Sequence, residues 1–231
     1  MLNDTELYSL YMTKVRRPDE YFTQYEDVPP CPIRSWGNSW KDKDAPRCFT
    51  VLDFQKWIAD RGISPERLGY TSESDPELEL FSAKTKVYLP YPSYDLHVLS
   101  SHYREAFDFL LVNQTLEHLQ APHTAMKSMY DALVPGGYLF TSVPTINIPH
   151  STPYHYGGYN PMGLAVMCLE AGFEICEIGQ WGNLRYIRTL FDENGWPDVY
   201  RVAEPNGRVL NIDRAVCQCW ILVQKPKLTN I

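Results

Sequence analysis

Residues 107–144, FDFLLVNQTLEHLQAPHTAMKSMYDALVPGGYLFTSVP, decide the fold. Residues 107–112 are an apolar run broken only by Asp108, the pattern of a strand covered on both faces in a parallel sheet. Pro122 suits the first turn of a helix, where its missing N–H costs nothing. Met126, Met129, Tyr130 and Leu133 follow at i, i+3, i+4 and i+7, one face of that helix. Pro135, Gly136 and Gly137 stop it, and residues 138–143 form a second apolar strand. A strand–helix–strand unit of this length crosses over right-handed and sets its two strands parallel. Ligands of such sheets bind beyond the carboxyl ends of the strands, which singles out Asn113, Gln114, Glu117, His118, Pro144 and Thr145.

Working outward, 231 residues suffice for one sizeable domain with a real core. Residues 1–48 differ in composition, being rich in Tyr, Pro, Trp and charge with little periodicity beyond a short helix at 6–13. They read as an N-terminal extension or cap on a domain of residues 49–231, with Trp36 and Trp40 too costly to leave bare. Thr50 and Asp53 suit a helix start, Val51, Phe54 and Ile58 give it an apolar face, and Gly62 ends it. Strands are expected at 64–70, 86–91, 173–178 and 215–223. Asn160 and Pro161 start a further helix that Gly172 ends, with Leu164, Met167, Cys168 and Ala171 as its buried stripe. The 190–213 segment is a long insertion, and residues 225–231 read as a loose tail.

The net charge of −7, from 21 basic and 28 acidic residues, argues against a binder of nucleic-acid backbones. The densest basic run, around Lys14, Arg16 and Arg17, reads as a solvated turn. No apolar run is long enough to span a membrane, and no signal-peptide pattern opens the chain. Six cysteines include no C-x-x-C pair. Buried, reduced thiols of a cytoplasmic protein are the simpler reading and a zinc site the other; the alternation places Cys217 and Cys219 on one strand face.

FDxxxxNxxLEHL, the following helix, LVPGGYLFxxVP and GLAVMCLEAGFEI together resemble the second half of class I S-adenosylmethionine-dependent methyltransferases. The resemblance spans about residues 69–182. It implies an α/β, Rossmann-like, doubly wound seven-stranded sheet with an antiparallel edge strand, and S-adenosylmethionine as cofactor with S-adenosylhomocysteine as product. The cofactor site it implies comprises Gly69, Tyr70, Thr71 and Ser72 after the first strand, Asp95 and Leu96 beside the adenine, and Asn113 and Gln114 after the central strand. The chain departs from the family at two places. The usual glycine-rich turn is replaced by hydroxyls and acids at 70–75, so the N–H groups of a helix started by Ser74 or Asp75 and Pro76 take over the cofactor's carboxylate. No acid ends the 86–91 strand to clamp the ribose, leaving Tyr91 or Ser93 as substitutes.

Methyl transfer from a sulfonium is an in-line displacement, and a hydroxyl acceptor must also lose its proton. The segment after Pro144 holds His150 and His155, whose ordinary pKa suits a base. These two and Glu117 are the catalytic candidates, and Tyr154, Tyr156 and Tyr159 shape an acceptor pocket. The resemblance favours a sugar or glycan hydroxyl as a small acceptor. The displacement requires no metal, although a divalent ion at His or Asp ligands is compatible with it. The alternative is a methyltransferase-like scaffold without cofactor, acting as an interaction module.

Overall fold

The computed structural model describes residues 2–16, 20–22 and 25–227. Its strands are β1 Val15–Arg16, β2 Glu20–Phe22, β3 Arg67–Tyr70, β4 Thr85–Tyr88, β5 Phe107–Asn113, β6 Leu133–Pro144, β7 Glu174–Gly182, β8 Val209–Leu210 and β9 Val216–Gln224. Seven of them form one sheet in the order β1-β7-β9-β6-β5-β3-β4, and β2 and β8 form a separate antiparallel ribbon. β9 runs antiparallel to both its neighbours, β6 and β7, and the other pairs are parallel. The antiparallel strand is thus flanked on its outer side by β7 and by the short β1.

Among the described residues, seven α-helices cover the sheet: α1 Asp4–Lys14, α2 Ala45–Arg61, α3 Leu99–His102, α4 Pro122–Ala132, α5 Pro161–Ala171, α6 Leu184–Asp192 and α7 Val199–Val202. The central unit forms as its pattern dictates. β5 and β6 are parallel, and α4 starts at Pro122 and buries Met126 and Met129. One apolar layer joins α3, α4 and α5 to the sheet through Leu99, Met126, Leu164 and Ile221. The opposite layer joins α2, α6 and α7 to it through Phe49, Phe54, Leu190, Val199 and Trp220. α5 is capped by Asn160, whose Oδ1 accepts from Gly163 N at 2.9 Å, and Gly172 ends it at φ +105°.

Several local expectations shift. α2 starts at Ala45, so a boundary between 48 and 49 falls inside a helix, and Thr50 is mid-helix with its hydroxyl donating to Pro46 O at 3.0 Å. Cys31, Ile33 and Trp40 lie in the same apolar cluster as Phe49 and Phe54. Lys14 ends α1, and Val15–Arg16 is no solvated turn: Val15 is buried, and Arg16 pairs with Asp53. Cys217 and Cys219 face opposite layers because the β7–β9 register shifts at Trp181/Gly182, which breaks the alternation. Lys225 is not part of a loose tail; its side chain is buried and donates to Leu133 O at 2.8 Å. Residues 228–231 lie outside the described residues.

Gly179 on β7 faces the indole of Trp220 on β9, and a Cβ there would stand 2.2 Å from its Nε1. That indole donates to Asp53 Oδ2 at 3.1 Å, so the contact also locks α2 onto the sheet. Gly179→Ala should therefore destabilise the fold by roughly 1–3 kcal/mol, through overpacking and loss of that bond. Urea unfolding of the variant measures it, and an unchanged midpoint would refute the close approach.

Candidate active site

The site lies beyond the carboxyl ends of β3, β5 and β6, where the parallel ladders stop. At the end of β5, Gln114 adopts φ +47°, a left-handed conformation rare for a residue with a side chain. Its N–H donates to Ser142 O at 2.8 Å, which turns the chain across the sheet rim. Ser142 Oγ is the hub of the floor. It donates to Asn113 Oδ1 at 3.0 Å and accepts from Gln114 Nε2 and Arg47 Nη1, each at 3.2 Å. Gln114 Nε2 also reaches Gln218 Oε1 at 3.2 Å, and Gln218 donates to Thr50 at 2.6 Å.

Arg47 projects from α2 into this floor. Its Nη2 donates to Glu77 Oε2 at 2.8 Å and lies 4.0 Å from Asp75 Oδ1. Burial works against its charge, but Glu77 first, then Asp75 and Asp44, more than offset this and raise its pKa. Asp75 is pushed up to about 8, by burial and then by the Glu77 charge, against the pull of Arg47. The expected helix after Pro76 is a single 3-10 turn, Pro76–Glu79, without a side-chain cap. A helix start is therefore not what this part of the site presents; a largely buried guanidinium and two buried carboxyls stand there instead.

Two cavities open above the floor. The first, about 400 Å³, is lined by Arg47, Thr71, Ser72, Asp75, Asn113 and Gln114 among others. Asn113 Nδ2 and Asp75 Oδ2 are buried and have no hydrogen-bond partner. The second, about 430 Å³, is lined by Tyr91, Tyr94, Asp95, Leu96, Tyr154 and Tyr156 among others. Thr71, Thr115 and His118 border both. Asp95 Oδ1 accepts from the N–H of His97 at 2.9 Å and lies 2.6 Å from its Nδ1. Burial pushes the Asp95 carboxyl up, but these two bonds and the nearby imidazole charge outweigh it and hold the pKa low.

Of the residues expected from sequence, Thr71, Ser72, Asp95, Leu96, Asn113 and Gln114 line the cavities. Gly69 does not; a Cβ on it would meet Leu110 Cδ2 at 2.6 Å, so this glycine serves packing inside the sheet. Tyr70 also stays outside both and stacks on Tyr88, ring centroids 5.4 Å apart. Tyr154 and Tyr156 share the second cavity with Asp95 and Leu96, the residues expected beside the adenine, rather than shaping a separate pocket. Tyr159 lies outside both cavities, partly buried against the core beside α5.

The long loop after β6 is tied down at several points. Tyr159 N donates to Pro144 O at 3.0 Å, Thr145 Oγ1 to Tyr159 O at 2.7 Å, and Tyr156 N to Glu117 O at 2.7 Å. Gly158 packs so closely that a Cβ would stand 2.4 Å from Thr145 O. These ties bring His150 and His155 against His118, with ring centroids 4.9 Å (118–150), 5.6 Å (118–155) and 4.7 Å (150–155) apart. Trp196, from the 190–213 insertion, donates to Asn147 at 2.9 Å and meets the His150 ring edge-on. Burial lowers the pKa of His118 and His155, and the neighbouring imidazoles add to this. Glu117 is wholly buried behind the cluster and is pushed up to about 7 by that burial.

A methyltransferase domain family matches residues 32–201, about three quarters of the chain. The chain belongs to this methyltransferase family. No curated relative matches the sequence. Among solved structures, a Bacillus halodurans C-125 protein with a provisional methyltransferase assignment superposes with TM-score 0.50 at 14% identity, covering 76% of this chain and 100% of its own. The N-methyltransferase NodS of Bradyrhizobium japonicum WM9, solved with S-adenosylhomocysteine, gives 0.50 at 12%, covering 84% and 98%. A Galdieria sulphuraria protein provisionally assigned as a sarcosine dimethylglycine methyltransferase gives 0.51 at 9%, covering 84% and 96%. At these identities the likeness concerns the fold.

The residues of this methyltransferase fit S-adenosylmethionine. The amino-acid end of that molecule needs an acceptor for its ammonium and donors for its carboxylate, and the first cavity offers Asp75 Oδ2 against Asn113 Nδ2 and Arg47. The second cavity offers tyrosines and Leu96 to a flat ring. Sequence reasoning did not single out Arg47 or Thr115, took Asp75 only as a helix start, and did not place His118 between the cavities. A signal for Arg47 exists: it stands four residues before Val51 and seven before Phe54, on the apolar face of α2.

The Asp75 carboxyl gives a pH signature. Its folded pKa, about 8, exceeds the unfolded value, so the folded state binds the proton more tightly and stability falls as pH rises from about 4 to about 8. Asp75→Asn should match the wild type near pH 4.5 and unfold at a higher temperature than it at pH 8.5. Thermal midpoints across that range decide it; parallel profiles would show that Asp75 is already ionised in the fold.

Proposed function

We propose that the protein transfers the methyl group of S-adenosylmethionine to a hydroxyl of a small acceptor, with a sugar or glycan as the favoured class. The observation that carries this is the pair of cavities meeting at Thr71, Thr115 and His118 over the sheet rim, one with unpartnered buried polar atoms and the other aromatic. The cofactor, when bound, supplies an electrophilic methyl on a sulfonium. Arg47, Asn113 and Asp75 orient its amino-acid end, and Tyr91, Tyr94, Asp95 and Leu96 flank the adenosine. Thr115 and His118 stand where the two halves join, so the acceptor approaches there.

The imidazole cluster favours a hydroxyl over an amine. A neutral amine attacks with its own lone pair, whereas a hydroxyl must shed a proton, and groups for handling that proton stand at the junction. His150 and His155 reach it through their packing on His118.

Calorimetry with S-adenosylhomocysteine tests the cofactor half. Binding is expected, and Asn113→Leu should weaken it about tenfold, the worth of one well-placed hydrogen bond. No binding at millimolar ligand would leave a methyltransferase-like interaction module as the reading. Transfer of labelled methyl to a panel of polyols and amines tests the acceptor half, with label expected in the hydroxyl compounds. His155→Ala should lower turnover at least about tenfold while S-adenosylhomocysteine affinity stays within about twofold. Equal losses in both would remove the histidine from the chemistry.

A further inference from the structure

Four features of the loop after β6 converge on one point. First, His118, His150 and His155 each present one ring nitrogen such that the three atoms lie within 4.8 Å of one another. Second, His118 Nδ1 lies 3.0 Å from Tyr154 O and His150 Nδ1 lies 3.1 Å from Ile148 O. A carbonyl only accepts, so each Nδ1 carries the proton and each Nε2 keeps a free lone pair. Carbonyls that accept from the far nitrogen impose this same arrangement on metal-binding histidines. Third, His155 Nδ1 is buried and has no hydrogen-bond partner. Fourth, both oxygens of the wholly buried Glu117 are likewise unpartnered, and Oε1 lies 3.9 Å from His118 Nε2. A buried, unpartnered carboxyl beside the lone pair of His118 Nε2 is costly to ionise unless a cation joins them.

We propose that His118, His150 and His155 form a three-histidine site for a divalent transition metal ion of the zinc class, with Glu117 as the buried counter-charge. Three imidazole ligands suit zinc, iron, cobalt, nickel and copper, whereas magnesium and calcium prefer oxygen donors. Tetrahedral zinc with bonds of 2.0–2.1 Å needs ligand atoms about 3.3 Å apart, so the three nitrogens close in on the ion by small ring movements. Three protein ligands leave a fourth position open, the pattern of sites that bind a reactant rather than only brace a fold. His118 borders both cavities, so an acceptor oxygen can reach that position. Metal binding itself does not depend on the methyl-transfer reading; use of the open position by the acceptor does, and with an ion bound the three imidazoles would act as its ligands, the ion's charge rather than a free imidazole easing loss of the hydroxyl proton.

The test uses the full chain, stripped of metal by chelation and titrated with cobalt(II) without cofactor. One equivalent should bind with a visible ligand-field band of tetrahedral intensity, and zinc should displace it. His118→Ala, His150→Ala and His155→Ala should each abolish the band or weaken binding more than about a hundredfold. His123→Ala, outside the cluster and paired only with Glu170, should leave binding unchanged. His118→Gln, of similar bulk, guards against misfolding, with retained cooperative unfolding as its control. Absence of the band in the wild type overturns the site, as does full-affinity binding by all three alanine variants. S-adenosylhomocysteine calorimetry on the same metal-free protein reports on the methyltransferase reading separately, so either can fail alone.

Discussion

A largely buried guanidinium beneath the site ties this structure together. Arg47 comes from the first turn of α2, yet its partners are Glu77 on the turn after β3 and Ser142 on β6. Three segments distant in sequence thus meet at one planar group. Glu77 is wholly buried, so removing either partner of the pair would strand a charge, an imbalance that typically costs about 3–5 kcal/mol. The pairing also sets a positive charge at the rim where the chain lacks the family's usual glycine-rich turn. Under the proposed function that charge meets the cofactor's carboxylate in place of backbone N–H groups.

The start of α2 is itself secured from the far end of the chain. Ala45 N donates to Pro197 O at 2.9 Å, Asp42 N to Asp198 Oδ2 at 2.9 Å, and Tyr186 Oη to Asp44 Oδ1 at 2.7 Å. The 190–213 insertion therefore has two contacts with the site. It fixes the helix that carries Arg47, and through Trp196 it buttresses the histidine loop. The loop has no regular hydrogen-bond ladder of its own, and its order comes from bonds to Pro144, Thr145 and Glu117. Gly158 is needed there because backbone approaches backbone more closely than a side chain allows.

The central unit could be read from the chain because its determinants are local. An apolar run, a Pro122 start and a period of 3.6 through Met126 and Met129 together leave one topology. Asn160 and Gly172 were legible for the same reason, since caps are written within four residues of the helix end. The failures have equally physical causes. Thr50 resembled a cap because its hydroxyl and Asp53 have capping spacing, but Ala45 and Pro46 extend the helix a turn earlier. Alternation puts Cys217 and Cys219 on one face, and a bulge in β9 itself, with Cys217 as the extra residue, overrides it. Gly69 resembled a cofactor glycine, whereas the space its missing side chain leaves is taken by Leu110.

By itself, the sequence determined the parallel core, its crossover and the rim on which a ligand site must lie, because periodicity and caps act over a few residues. It also marked Asn113 and Gln114 through their place after a strand end, and Asp95 through the family resemblance. Tertiary structure alone decided that Arg47 reaches from α2 to the sheet rim, that Tyr154 and Tyr156 join Asp95 in one cavity, and that three histidines from two segments face one another. Those outcomes depend on how loops with no ladder of their own are pinned by distant partners, and no local pattern encodes a contact across a hundred residues.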